Sequence, residues 1–332
     1  LLLQSTGTAI VSSKFQLKQE QYEAKVTILK KNNIKYVLFN GGNGSMDTCG
    51  KVSRVCQGEG IYVVGIPKTM DNDISIIDHA PGFPSAAKYI ATVTKEVGAD
   101  VKSLPIHVCV IEAMGRNAGW ITAASALARK NPGDAPHLIY LPERNFCEEE
   151  FLEDVKKLYD ELGGVVVVVS EGLRNEKGES IVPPIFKTDR AVYYGDVSAY
   201  LAELVIKKLG IKARSEKPGL CGRTSMTLQS EVDREEAVLV GREAVKAAVA
   251  GETGVMVGIR RKEGEKYEIE TPLIPIEEVM LNERVMPEEY INERGNDISG
   301  QFVTWCRPLI DGELPEMVSF KDEAVQVLKS RI

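Results

Sequence analysis

Short, unbroken apolar runs alternate with stretches of helical spacing along most of this chain. The runs at 34–40, 61–66, 106–112, 137–141 and 165–170 are bounded by glycine, proline or charged turns. Runs of this length without polar alternation predict strands buried on both faces of a parallel sheet. The clearest is the stretch of five valines at 165–169, β-branched throughout and preceded by Gly163 and Gly164. Residues 20–31, 45–57, 83–97, 118–129 and 148–161 carry the mixed spacing of helices. Strand and helix in alternation predict α/β layering.

Beyond residue 172 the pattern continues more loosely. An exposed loop is expected around 174–178 and the Pro183-Pro184 pair, a helix over 194–209 and a strand over 211–214. Residues 230–250 fit an amphipathic helix closed by Gly251, with Glu231, Asp233, Arg234, Glu235 and Glu236 as its solvated face. Residues 255–269 read as a hairpin interrupted by Lys262-Glu263-Gly264-Glu265. No repeat and no flexible linker divides the chain, so any two domains must be interleaved.

Candidate chemistry gathers where these strands end, which is where open α/β sheets bind ligands. After the second run comes GIPKTMDND at 65–73. Lys68 and Thr69 suit an anionic group; Asp71 can take a proton from an attacking hydroxyl, and Asp73 can orient it or hold a metal. After the first run comes GGNGS at 41–45, whose glycines let backbone N–H groups reach phosphate oxygens. It lacks the P-loop pattern and the spaced glycines of a dinucleotide fingerprint. After the third comes MGRNAGW at 114–120, where Arg116 offers a guanidinium fork to a phosphoryl group. The valine run ends in Ser170-Glu171-Gly172. Taken singly, these segments also read as an acidic turn, a tight connection, a surface arginine and a helix-capping acid.

Taken together, in this order and spacing, they resemble the 6-phosphofructokinase family, in both its ATP-dependent and its pyrophosphate-dependent branches. The resemblance runs through most of the chain and includes the segment from Arg214 to Arg223. It implies two interleaved three-layer α/β/α domains with mostly parallel sheets and the active site in the cleft between them. Residues 1–84 plus 222–280 would form the donor-binding domain, and 85–221 plus 281–332 the sugar-phosphate domain. The reaction implied is phosphoryl transfer to the 1-hydroxyl of fructose 6-phosphate, with Mg²⁺. Asp71 would be the general base, with Thr69, Arg116 and Lys68 around the migrating phosphoryl. Gly42, Asn43, Gly44, Ser45 and Lys14 would hold the donor, and Asn43 and Asp73 the metal. Asp73, Met114, Gly115 and Glu171 would meet the sugar, while Arg214, Arg223 and position 107 would grip its 6-phosphate. One of those arginines is normally lent by a neighbouring subunit, so a homodimer or homotetramer is expected.

The chain departs from the family pattern in four places. Asn43 replaces the metal-linked aspartate, so it can coordinate Mg²⁺ or its water without adding charge. His107 stands where bacterial ATP enzymes carry a phosphate-binding arginine, and Leu220 where they carry a histidine. The opening residues, from Leu1-Leu2-Leu3, show no sign of the family's first strand and its glycine-rich turn, roughly the first fifth of a usual member. For the donor, Gly44 leaves space where pyrophosphate-dependent members carry an aspartate. Lys68 and the stretch DHAPGF at 78–83 look like the pyrophosphate branch, though some ATP users share the lysine. Steric space carries the choice: ATP is the expected donor and pyrophosphate the alternative. A catalytically weak sugar-phosphate- or nucleotide-binding subunit and a purely structural subunit are the readings from other classes.

Global composition changes this picture little. The 332 residues hold 41 Lys plus Arg against 48 Asp plus Glu, a net charge of −7 that disfavours nucleic-acid or anionic-membrane partners. No run of about 18 apolar residues is present. The six cysteines form no CxxC pair, and they and the three histidines are scattered. These features fit a cytoplasmic enzyme.

Overall fold

The computed structural model describes residues 18–104, 107–188, 192–280 and 282–317. In chain order its strands are β1 (Tyr36–Gly41), β2 (Tyr62–Pro67), β3 (Val108–Ala113), β4 (Leu138–Tyr140), β5 (Val165–Ser170) and β6 (Pro184–Lys187). They continue with β7 (Val192–Tyr194), β8 (Ala213–Glu216), β9 (Val255–Val257), β10 (Arg260–Arg261), β11 (Ile269–Glu270) and β12 (Leu273–Pro275). The helices are α1 (Gln19–Lys31), α2 (Asn43–Val55), α3 (Phe83–Ser103), α4 (Trp120–Ala124) and α5 (Glu148–Leu162). After them come α6 (Val197–Leu209), α7 (Leu220–Thr224), α8 (Glu231–Ala250), α9 (Ile276–Val279) and α10 (Gly300–Cys306).

Two four-stranded sheets organise the molecule. The first has the order β1-β2-β9-β12, parallel except for β12. The second, β4-β5-β3-β8, is wholly parallel. Successive strand residues point to opposite faces, and both faces are apolar, so each sheet needs two covers. Val63 and Met256 pack with Met46 and Cys49 of α2, while Val64 and Val257 pack with Val240, Ala244 and Ala248 of α8. In the second sheet Ile111 and Val168 pack with Phe83, Trp120 and Phe302, and Val110 and Val167 with Phe151 and Leu201. The result is a three-layer α/β/α arrangement around each sheet. The tail segment is held on α3 and α4 by aromatic rings, Trp305 lying 5.2 Å from Trp120 and 5.9 Å from Phe83.

Three expectations change. The helix expected over 118–129 is α4 followed by a 3-10 turn over Ser125–Ala128. The hairpin expected over 255–269 is only the β10–β11 pair, because β9 is drawn into the first sheet between β2 and β12. The charged face of α8 is not all solvated: Asp233 and Glu236 are each only 6 % exposed. Asp233 accepts hydrogen bonds from the Gly82 and Ser85 amides and so caps α3 from outside.

Candidate active site

β1 and β2 lie side by side and in parallel, with Gly41 opposite Pro67, so the loops that follow them leave from one edge. The Lys68 amide donates to the Gly41 carbonyl at 3.0 Å. Gly42 caps α2, and a Cβ on it would sit 3.5 Å from Thr69, so the positive end of α2 and the Thr69 side chain face the same place. Asn43 Nδ2 donates to the Asp73 carbonyl at 3.2 Å. The remaining oxygens, Asn43 Oδ1 and Asp73 Oδ1, are buried without a hydrogen-bond partner. A Cβ on Gly44 would meet nothing within 4 Å.

The loop after β2 is built to hold two carboxylates in a part-buried place. Its neck closes where Thr69 pairs with Gly82 and the Thr69 amide donates to Pro81 O at 3.1 Å. Inside it, Asn72 is fully buried at φ 56°, a region a non-glycine residue enters only when its surroundings hold it there. Asn72 Oδ1 accepts the Ala80 amide at 2.9 Å, and the Asp71 amide donates to Thr69 Oγ1 at 3.1 Å. Burial, helped by the charges of Asp73 and Glu171 and opposed by Lys68 and Arg223, pushes the Asp71 carboxyl up to about 6. Asp73 is also raised, by burial first and by the charge of Glu283.

The second sheet presents its own strand ends. Ala113 lies opposite Ser170, which sets the loops after β3 and β5 against each other. Gly172 has no room for a side chain, since a Cβ would fall 1.7 Å from Arg116 O. Gly115 has φ 117° and accepts Ser170 Oγ–H at its carbonyl at 2.7 Å. Glu171 Oε1 accepts the Gly115 amide at 3.3 Å. Arg116 is exposed, donates to Val192 O at 3.1 Å and lies 5.9 Å from the Tyr194 ring, so its fork is engaged by β7 and not by the Asp71 loop. Met114 lines a small open pocket with Met70, Tyr89, Glu112 and Gly222, at the boundary between the two sets of loops.

The structure thus gathers Gly42, Asn43, Lys68, Thr69, Asp71 and Asp73 on one bank and Met114, Gly115 and Glu171 on the other, with Arg223 charged toward Asp71. It does not gather His107 and Arg214 with them. Arg214 is in register with Cys109, and Met114 lies five residues further along, about 17 Å at roughly 3.3 Å per residue. His107 precedes β3 at the same far end; it is 4 % exposed, and burial and Arg214 lower its pKa. Ser45 sits in the first turn of α2, and Lys14 lies outside the described residues.

The motifs gave no sign of the segment around 283–286. Glu283 pairs with Ile74, the Arg284 amide donates to Asp73 O at 2.8 Å, and Met286 donates its amide to Glu143 Oε1 at 3.0 Å. Glu143 Oε1 also accepts the Gly119 amide at 2.9 Å, so one carboxylate ties this strap to the start of α4. Neither Glu143 nor Arg284 stands in a periodic or glycine-rich pattern that sequence reading could have caught.

The sequence profile of the family described as Phosphofructokinase matches residues 1–248. The chain belongs to the phosphofructokinase family. It is an enzyme of that family, 35 % identical to the pyrophosphate–fructose 6-phosphate 1-phosphotransferase of Xanthomonas campestris pv. campestris over 98 % of this chain and 82 % of that one. The pyrophosphate-dependent phosphofructokinase of Nitrosospira multiformis has the same fold at TM-score 0.85 and 34 % identity, covering 96 % of this chain and 78 % of that one. The sulfofructose kinase of Alkalicoccus urumqiensis is 34 % identical over 92 % of this chain and 79 % of its own length. The donor in the first two names is pyrophosphate, the alternative of the sequence reading, and not the ATP it preferred. Among the described residues no helix of this phosphofructokinase is long and apolar enough to cross a membrane.

Proposed function

We propose that this phosphofructokinase transfers a phosphoryl group from pyrophosphate to the 1-hydroxyl of fructose 6-phosphate. The observation that carries the reading is Asp71: a part-buried carboxyl at a strand end, raised to about 6, in a loop whose neighbours Thr69 and Lys68 suit a phosphoryl group. Asp71 takes the proton of the 1-hydroxyl as its oxygen attacks the terminal phosphorus. The bond to the bridging oxygen breaks, and inorganic phosphate leaves. Lys68, the first turn of α2 and Thr69 neutralise and orient the donor oxygens, which is the main work in such a displacement. Glu171 holds a sugar hydroxyl and Arg223 the 6-phosphate. Arg116 joins the transferring phosphoryl only by exchanging Val192 O for it.

Asn43 Oδ1 and Asp73 Oδ1, buried and unpartnered, fit a hard cation that takes its other ligands from phosphate and water. Among the described residues no cluster of three or more His, Cys, Asp or Glu is placed to hold a metal, which suits Mg²⁺ brought with the donor better than a permanent metal cage. Bound there, Mg²⁺ would supply charge neutralisation of the pyrophosphate oxygens.

The domain partition 1–84 with 222–280 and 85–221 with 281–332 belongs to this proposal, as does an assembly of two or more copies. Arg214 and His107, remote from Glu171 within one chain, would then serve the 6-phosphate of a neighbouring subunit. ATP is the second reading, favoured by the free space at Gly44. Initial rates of bisphosphate formation with pyrophosphate or ATP, with and without Mg²⁺, test the proposal. Pyrophosphate-dependent, Mg²⁺-dependent product is expected; product with ATP alone would reverse the donor assignment.

A further inference from the structure

His79 is fully buried between two carboxylates, and the reaction as described does not use it. Its Nδ1 lies 2.8 Å from Asp78 Oδ2 and its Nε2 lies 2.6 Å from Glu236 Oε2 of α8. The cluster extends in both directions. Tyr267 donates its hydroxyl to Glu236 Oε1 at 2.5 Å. Asp78 accepts from Arg261 at 3.1 Å and from Trp305 Nε1 at 3.0 Å, while Arg261 lies over the Tyr267 and Trp305 rings at 4.9 and 5.5 Å. A buried ionic cluster is a poor device for stability alone, because desolvation offsets most of the attraction between its members. It is a good device for holding one geometry, and the geometry held here is that of the loop carrying Asp71 and Asp73.

Two short routes connect them. The residue after His79 is Ala80, whose amide holds Asn72 Oδ1 at 2.9 Å, and Asn72 stands between the two catalytic-loop aspartates at positive φ. The residue before it is Asp78, whose carbonyl accepts from the Arg284 guanidinium at 2.5 Å; the Arg284 amide in turn donates to Asp73 O at 2.8 Å. Arg284 is itself fixed over the Trp120 ring at 4.1 Å. Each route therefore reaches the Asp71–Asp73 backbone in two links.

We propose that His79, clamped between Asp78 and Glu236, is a positioning residue for phosphoryl transfer that sets the backbone at Asn72 and Asp73 and through it the aim of Asp71. The inference rests on the reading that Asp71 and Asp73 perform the transfer. Burial disfavours a charged His79, but the hydrogen bonds and charges of Asp78 and Glu236 outweigh it and raise its pKa. Arg261 and Arg284 face the cluster from β10 and the strap, Asp233 and Glu236 from α8, and Tyr267 and Trp305 from the segments before β11 and in α10. The doubly donating ring is thus the form that holds both carboxylates, and it is lost as pH rises through the raised pKa.

The test is His79→Asn and Glu236→Gln, assayed at a temperature well below each variant's melting point, with kcat, both KM values and the pH profile of kcat. Expected for His79→Asn is a fall in kcat on the order of 100-fold, as for a misplaced catalytic group, with both KM values within about two-fold of wild type. Glu236→Gln keeps the volume and an acceptor while removing one charge, so it carries the test if His79→Asn does not fold. Its expected mark is an alkaline limb of kcat shifted to lower pH. Folded variants with unchanged kcat and an unshifted alkaline limb would overturn the proposal, leaving His79 a structural residue. Asp71→Asn, run beside them, separates the two readings: if it retains full activity, the site assignment itself has failed; if it is dead while both other variants are normal, only the role of His79 has.

Discussion

The two banks of the cleft hold their polar groups in opposite states. On the first-sheet bank, Asp71 and Asp73 are raised by burial, and Asn43 Oδ1 and Asp73 Oδ1 have no partner. On the second-sheet bank, Glu171 already accepts the Gly115 amide and Arg116 already donates to Val192 O. Under the proposed function, the difference separates reacting groups from binding groups. A general base is effective when it is desolvated and held by backbone, with its own oxygens uncommitted. A group that recognises a sugar or a phosphate can rest on a protein partner and exchange it for the ligand.

Breaking the first bank should therefore strike the rate. Asp71→Asn is expected to lower kcat by about 100- to 10,000-fold while both KM values stay close to wild type, as steady-state kinetics will show. The same variant sharpens the electrostatic side of the comparison. Because the folded value, about 6, lies above the usual carboxylate value, the fold favours protonated Asp71. Wild-type stability should then decline as pH rises from about 4 through about 6, and thermal melts of Asp71→Asn should lack that decline. For activity the sign is the reverse. The ionised base is needed, so kcat/KM should fall about tenfold per unit as pH drops below about 6.

Breaking the second bank should strike packing and binding. Gly172→Ala forces a Cβ into the space 1.7 Å from Arg116 O, and a loss of about 1–3 kcal/mol in denaturant titrations is expected. Glu171→Gln keeps an acceptor for the Gly115 amide but loses the charge. Its expected effect is the smallest of the set, a rise of roughly tenfold in KM for the sugar phosphate with kcat little changed. A large kcat loss in Glu171→Gln would erase the distinction between the banks.

The contrast also marks what a sequence can disclose. Strand ends were legible because an apolar run followed by Gly, Asp or Arg is a local signal, and GIPKTMDND, GGNGS and MGRNAGW each lie within one loop. Their pairing across the sheets needed only the parallel register that places Gly41 opposite Pro67 and Ala113 opposite Ser170. Asp233 and Glu236 were misread because a helical charge run looks the same whether it meets water or the protein; only the packing of α8, which sets Asp233 on the α3 N-terminus and Glu236 on His79, tells them apart. Glu143 accepts backbone amides and Arg284 donates to backbone carbonyls, contacts that leave no pattern in residue types. His107 and Arg214 were grouped with the site by their residue types, but they stand at the far end of the sheet from Met114 and Glu171.

The most direct test of the account is bisphosphate formation from fructose 6-phosphate and pyrophosphate, followed by phosphorus NMR for wild type and Asp71→Asn at equal folded concentration. The account predicts product and inorganic phosphate in equal amounts with wild type and almost none with the variant. Undiminished product from Asp71→Asn would contradict it.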